Sequence, residues 1–292
     1  MSQPRPPTNA VLSAVIAFGL WGVLPVYWKQ IVHLGSDVAL AQRVVWTMAT
    51  VLPLLMLRGE WKDFLKSLRD VVLLKAHAWS AFLLAINWGV FVWAAQHGRI
   101  IDCSLGYFIN PLLNVLIGSR LLGERLSRLQ QLSIASAACG VVMQIVLVGR
   151  FPWIGLLLAG TFALYGLARR RSPLGSLPGL GVETIVGIPV AAAYLMWSQH
   201  SGASIWGTAS THDLLLITGL GIVTTIPLLG FAHGARQLPF ALLGVLQFLA
   251  PTGQFIVGAF IYHEPISAAA LVSFGLIWTG VLLFCGDLWH KR

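Results

Sequence analysis

Apolar residues run along this chain in long stretches and do not alternate with polar ones. Ten stretches stand out, at 9–28, 37–57, 76–96, 101–123, 129–148, 152–168, 179–198, 213–231, 238–262 and 266–286. A helix needs about 20 mostly apolar residues to cross a hydrocarbon core of about 30 Å, so each stretch predicts one membrane span. The connections are too short for a separate polar domain. Segment 58–75 differs from the rest, mixing apolar and charged residues at helical spacing. That pattern predicts a short helix lying on the membrane surface.

The spans repeat. Phe108, Pro111, Gly118, Glu124, Ser127, Ser133, Gly140 and Val141 recur 140 residues later, without a gap, as Phe248, Pro251, Gly258, Glu264, Ser267, Ser273, Gly280 and Val281. Apolar composition alone does not put Pro, Gly, Glu and Ser in register. The offset is close to half of 292 residues, so the chain divides into 1–148 and 149–292, each with five spans. Five is odd, so the second unit is inverted relative to the first. The expected fold is all-α and integral to the membrane, ten transmembrane helices in two inverted five-helix repeats. Such repeats are an architecture of secondary transporters.

The composition agrees, with 57% hydrophobic and 10% charged residues, where soluble domains carry about 25% charged. A net charge of +9 raises the question of nucleic acid, and the positions of the charges answer it. With the N-terminus inside, 15 of the 19 Lys and Arg fall in inside segments, from Arg5 to Lys291 and Arg292. The outside segments hold Lys29, Arg99 and Arg150, and Arg43 lies within a span. This bias places both termini in the cytoplasm and leaves no nucleic-acid partner. Cys103, Cys139 and Cys285 lie in apolar stretches without paired spacing, which excludes a disulfide framework or a zinc site.

Catalysis has no visible home. There is no phosphate-binding G-x-x-x-x-G-K-[ST] run, and no second histidine completes a zinc motif after His263-Glu264. The acidic residues sit at different depths, so no cofactor or metal is expected, and the chain does not read as an enzyme. Polar residues inside the spans carry more information. Tyr107, Asn110, Pro111, Asn114 and Gly118 share one face of span 4, and Gln247, Pro251, Gln254 and Gly258 do the same in span 9. Matched polar stripes on inverted helices predict a polar cavity near mid-membrane; the alternative is that these groups bond helix to helix. Pro111, Pro251 and, with Thr224 and Thr225, Pro227 predict helix breaks.

Asn87, Trp88 and Phe91 share a face of span 3, and Trp21 and Tyr165 are repeat mates, so these supply candidate aromatic walls. Trp28 and Trp79 read as interfacial residues. Arg43 and Glu183, also 140 residues apart, are the charges that fall within spans. Arg43 suits a carboxylate or an outer brace, Glu183 a proton or an inner brace. Glu124 and Glu264 sit at span ends as caps.

The run Ser104-Leu-Gly-Tyr-Phe-Ile-Asn-Pro111, with Gly123-Glu124-Arg125 after it, resembles the signature of RarD-type permeases, in the EamA-like branch of the drug/metabolite transporter superfamily. Trp21-Gly22, Tyr27-Trp28-Lys29, Gln42-Arg43-Val44, Asn87-Trp88, Tyr165-Gly166-Leu167, Glu183-Thr184 and Gly221-Ile-Val-Thr-Thr-Ile-Pro227 extend it over nearly the whole chain. The resemblance implies two EamA-type repeats in a bacterial inner membrane. It also implies export, of drugs such as chloramphenicol or, as in other members of the superfamily, of amino acids. Gln42 stands in place of an expected His and Gln247-Phe248 in place of Gln-Tyr, which bears on the substrate.

The expected function is a secondary exporter of small amphipathic metabolites by alternating access, with apolar or aromatic amino acids first and amphenicols second. Asn87, Trp88, Tyr107, Asn110, Asn114, Gln247 and Gln254 are expected at the substrate, with Arg43 on a carboxylate and Glu183 as the candidate proton site. Beyond substrate and bilayer no partner is needed, because one chain contains both repeats.

Overall fold

A computed structural model of the chain describes residues 6–96, 100–148, 151–201, 209–263 and 268–290. Among these the fold is all-helical: α1 (Thr8–Gln30), α2 (Ser36–Leu57), α3 (Trp61–Arg69), α4 (Val71–Gln96), α5 (Ile100–Leu121), α6 (Arg128–Val148), α7 (Trp153–Arg171), α8 (Ser176–His200), α9 (Thr211–Gln237), α10 (Phe240–Gln247), α11 (Leu249–Ile256) and α12 (Ala268–His290). A π-helical turn, Val257–Ile261, prolongs α11. By length and composition six of the described segments can cross a membrane: Thr8–Gln30, Asp37–Leu57, Val71–Phe91, Ser176–His200, Thr211–Gln237 and Phe240–Ile261. Large apolar side chains such as Leu57, Val190 and Leu282 cover the outside of the bundle, as a lipid-facing surface requires.

The helices outrun the apolar stretches at the basic end. α4 begins at Val71, five residues before the apolar stretch, and α7 continues to Arg171, through three arginines. Packing sustains these turns, since Arg169 is fully buried. The amphipathic α3 lies against α8, with Phe64 buried beside Gly181 and Leu55.

α6 packs against α12, and the contact is reciprocal. A Cβ on Gly140 would strike the carbonyl oxygen of Ser273, and one on Gly280 would strike that of Ser133. Between them the Ser136 hydroxyl donates to the Leu276 carbonyl at 2.8 Å, across a separation of 140 residues. A pairing in which each side presents the same groups to the other is what a two-fold axis produces. Three further pairs of contacts correspond in the same way. α5 packs on α7 and α1 on α11; α4 packs on α7 and α1 on α9; α2 packs on α9 and α4 on α8. Each pair turns into the other when α1, α2, α4 and α5 exchange with α7, α8, α9 and α10–α11.

The chain interrupts at Phe248, three residues before Pro251. There the N–H of Phe248 bonds the Val245 carbonyl at 3.2 Å, a tighter turn that ends α10. The breaks expected at Pro111 and Pro227 do not form, for α5 and α9 run unbroken through these residues. A proline removes one helical hydrogen bond, and in a packed bundle the neighbouring helices keep such a helix continuous.

Enlarging the reciprocal contact tests it. Gly280→Val is expected to lower the melting temperature of the purified protein, because overpacking costs about 1–3 kcal/mol. Ser136→Ala removes one interhelical hydrogen bond, about 0.6 kcal/mol, and shifts the melt less.

Candidate functional site

A cavity of about 410 Å³ opens between the C-terminal halves of α1 and α4, the N-terminal halves of α5 and α7, and the α10–α11 break, a volume within the range of small-ligand sites. Its wall is mainly apolar and includes the rings of Trp21, Trp28, Trp88, Phe91, Tyr107 and Phe162. Asn87, Asn110, Gln247 and Gln254 supply the neutral polar groups, and Lys29 stands at the mouth. The cavity reaches the surface at Lys29 and Val32, both exposed, at the end of the bundle away from the arginine-rich connections. Toward the basic end Phe18, Tyr165, Phe231 and Phe240 close it, each fully buried. Their rings interlock, Phe18 edge-on to Phe231 at 6.0 Å and Tyr165 stacked on Phe231 at 5.8 Å.

The polar side chains are held from behind. The Asn87 amide donates to the Leu158 carbonyl at 2.8 Å and to the Thr161 hydroxyl at 3.0 Å. Asn110 donates to the Ala159 carbonyl at 2.9 Å, so both asparagines fix their helices to α7. The Asn114 amide donates to Asn110 Oδ1 at 3.2 Å and to Gln247 Oε1 at 2.7 Å, joining α5 to α10. Gln254 donates to the Trp21 carbonyl at 3.3 Å, which Pro25 leaves without a helical partner. Gly22 and Gly253 meet at this crossing, where a Cβ on either would touch the other's backbone.

Of the residues expected at the substrate, Asn87, Trp88, Tyr107, Asn110, Gln247 and Gln254 line this cavity, as does Pro251, expected as a helix break, while Asn114 is buried beneath its floor. Arg43 lies outside the lining. It is buried, with its guanidinium 4.2 Å from the centre of the Trp88 ring, which does line the cavity. Among the described residues its Nε has no hydrogen-bond partner, nor have the buried Trp46 Nε1, Thr47 Oγ1 and Thr225 Oγ1.

Glu183 belongs to a different place. At the basic end it accepts from Ser80 at 2.6 Å and Tyr165 at 3.3 Å, and it lies 3.4 Å from both Arg169 Nη1 and His77 Nδ1. Arg169 also donates to the Ser176 carbonyl at 2.8 Å. The network ties α4, α7 and α8 together in a space that glycine leaves open, since a Cβ on Gly179 would overlap Arg169 and His77. Glu124 caps α10, accepting from Phe240 N–H at 2.5 Å and Ala241 N–H at 2.9 Å. Arg170 donates to the Ala235 carbonyl at 3.1 Å and to that of Leu238, and Arg236 to the Ser172 carbonyl at 3.1 Å. Glu264 lies outside the described residues.

Three assignments from sequence change. Trp28, read as interfacial, is part of the cavity wall, 6.1 Å from Trp88. Arg169 is the buried ion-pair partner of Glu183 and not a connection charge. α1 builds much of the wall, where the sequence offered Trp21 alone from this helix, and α9 adds Leu228. The signal for α1 was present in its Trp21, Pro25 and Trp28 spacing, one helical face that apolar neighbours obscure.

No protein-family model matches the chain. It is 39% identical over 279 residues to the uncharacterized transporter YojE of Bacillus subtilis, covering 94% of this chain and 93% of that one. It is 37% identical over 282 residues to protein RarD of Escherichia coli, at 96% and 94% coverage. To the chloramphenicol-sensitive protein RarD of Pseudomonas aeruginosa it is 30% identical over 279 residues, at 94% and 93%. A solved crystal structure 21% identical in sequence superposes with a TM-score of 0.72 over 94% of this chain and 96% of the other, a likeness of fold. Apolar helices and transporter relatives together define a multi-pass membrane transporter. Within that class the chain belongs to the RarD-type permeases of the EamA-like drug/metabolite transporter family.

Glu183→Gln is expected to lower the melting temperature markedly, because an uncompensated buried charge costs about 3–5 kcal/mol. Glu183→Gln combined with Arg169→Met removes both charges and is expected to recover part of the loss. A double variant less stable than the single one contradicts the ion-pair reading.

Proposed function

We propose that the chain is a secondary exporter that moves small amphipathic metabolites out of the cytoplasm by alternating access. Its leading substrates in this reading are amino acids with apolar or aromatic side chains. The observation that carries it is the aromatic cavity with fixed amide groups, open at one end of the bundle and sealed by stacked rings at the other. With both termini cytoplasmic in a bacterial inner membrane, as the basic connections indicate, the opening faces outward.

Two inverted repeats, 1–148 and 149–292, rock about the cavity in this mechanism. The exchangeable helix contacts and the reciprocal α6–α12 packing support that division, and α5, α6, α7 and α12 complete ten spans with the six apolar ones. Trp88, Tyr107 and Trp28 pack the solute's ring, and Asn87, Asn110, Gln247 and Gln254 bound its polar end. Asn114 sets the angle of Asn110 and Gln247, and the interruption before Pro251 gives α10–α11 a point to bend. Arg43 acts on a carboxylate across Trp88, where low dielectric lets its charge reach the cavity. Glu183, paired with Arg169, favours a brace on the closed end over a proton carrier.

Proteoliposomes preloaded with radiolabelled amino acids and chloramphenicol, with and without a pH gradient, test the reading. Release of L-phenylalanine or another apolar amino acid is expected, and Arg43→Gln is expected to slow it about tenfold or more, as for a lost charged contact. Gradient dependence abolished by Glu183→Gln would give Glu183 the proton instead. A second reading, an amphenicol permease, rests on the name of the Pseudomonas relative and predicts release of chloramphenicol alone.

A further inference from the structure

The charges at the cavity have one sign. Lys29 is the one charged residue among the described residues that line it, and Arg43 stacks on the wall at Trp88. Among the described residues neither pairs with a carboxylate. Carboxylates elsewhere are engaged. Asp37 accepts from Tyr194, and Asp213 accepts from Ser210 and pairs with His33. Glu124 and Glu183 are committed at the basic end. A buried cation without a counterion is costly in a membrane, so Arg43 is better accounted for by a partner that arrives from outside the fold.

Lys29 already holds a weaker stand-in. Its ammonium lies 3.5 Å from the centre of the Tyr262 ring, bridging α1 to the chain that follows the π-helical turn. An exposed cation–π contact is weaker than a charge-assisted hydrogen bond to a carboxylate, so an arriving carboxylate displaces the ring. The ammonium of an amino acid is left to neutral amides and aromatic faces, a weaker set of partners. No carboxylate lines the cavity among the described residues, and the side-chain oxygens of Asn110 and Gln247 already accept from Asn114.

We propose that the cavity recognises amphipathic carboxylates as a class, that Lys29 captures the carboxylate at the mouth, and that the amino group of an amino acid is dispensable. This rests on the transport reading above and narrows its substrates. L-phenylalanine, hydrocinnamate and phenethylamine share a benzyl group and differ in carrying both charges, the carboxylate alone or the ammonium alone. Their binding to the protein in lipid nanodiscs at neutral pH, measured calorimetrically beside chloramphenicol, separates the possibilities.

L-phenylalanine and hydrocinnamate are expected to bind and to compete, and phenethylamine is expected not to bind. Lys29→Gln should weaken both acids about tenfold, the loss for one charged contact, with Lys29→Arg restoring them. Because Lys29 is exposed, the substitution opens no void in the core, and the melting temperature of the variant checks that the loss of the Tyr262 contact leaves the fold standing. Phenethylamine bound as tightly as the acids, chloramphenicol bound alone, or acids indifferent to Lys29→Gln would overturn the carboxylate assignment while leaving the cavity reading standing. If none of the four binds, both fall.

Discussion

In hydrocarbon no solvent satisfies a stray backbone carbonyl, and this constraint decides where the polar side chains of the bundle go. Pro25 deprives the Trp21 carbonyl of its helical donor, and Gln254 takes over from the facing helix. The same contact pins α1 to α11 where Gly22 and Gly253 allow the backbones to touch. Asn87 and Asn110 each spend an amide on α7, at Leu158 and Ala159. A side chain bound to a neighbouring backbone cannot swing after a solute, so the wall is organised in advance. Binding then loses little entropy at these residues, the usual benefit of preorganisation.

Apolar periodicity and polar exceptions made part of this readable in the sequence. The stripe on span 4 and its mate on span 9 pointed to Asn110, Asn114 and Gln247, and the structure brings them into one hydrogen-bonded chain. The two interpretations weighed for such stripes turn out to be compatible, because the amides that bond helix to helix also border the cavity. Arg169 was not legible, since a basic residue at the end of an apolar stretch looks like a topology signal. Its burial depends on Gly179 and His77, which come from two other helices and leave no local trace. Trp28 misled for a similar reason. A tryptophan near a span end fits an interfacial belt equally well until the facing Trp88 is known. Proline alone proved a weak predictor of a break, as Pro111 and Pro227 show, because the outcome depends on how the preceding turn packs.

The two ends of the bundle are held by unlike chemistry. At the basic end an ion pair, a helix cap and several arginine–carbonyl bonds join α4, α5, α7, α8, α9 and α10. At the other end Tyr27 donates to the Leu216 carbonyl, Tyr194 donates to Asp37, His33 pairs with Asp213 and Lys29 lies over the Tyr262 ring, joining α1, α2, α8 and α9. One difference between the ends lies in a single pair of positions. Glu183 finds Arg169 within its own half, whereas Arg43, 140 residues before Glu183, has the opposite sign and meets Trp88 instead. In the inverted-repeat reading proposed above, two halves with identical residues would give two gates of equal strength. Here one end holds the buried Glu183–Arg169 pair, while Arg43 meets no carboxylate among the described residues. In the alternating-access reading, the conformation with the basic end shut is therefore the one the empty protein favours, and a solute that brings its own anion shifts the balance by supplying the missing partner.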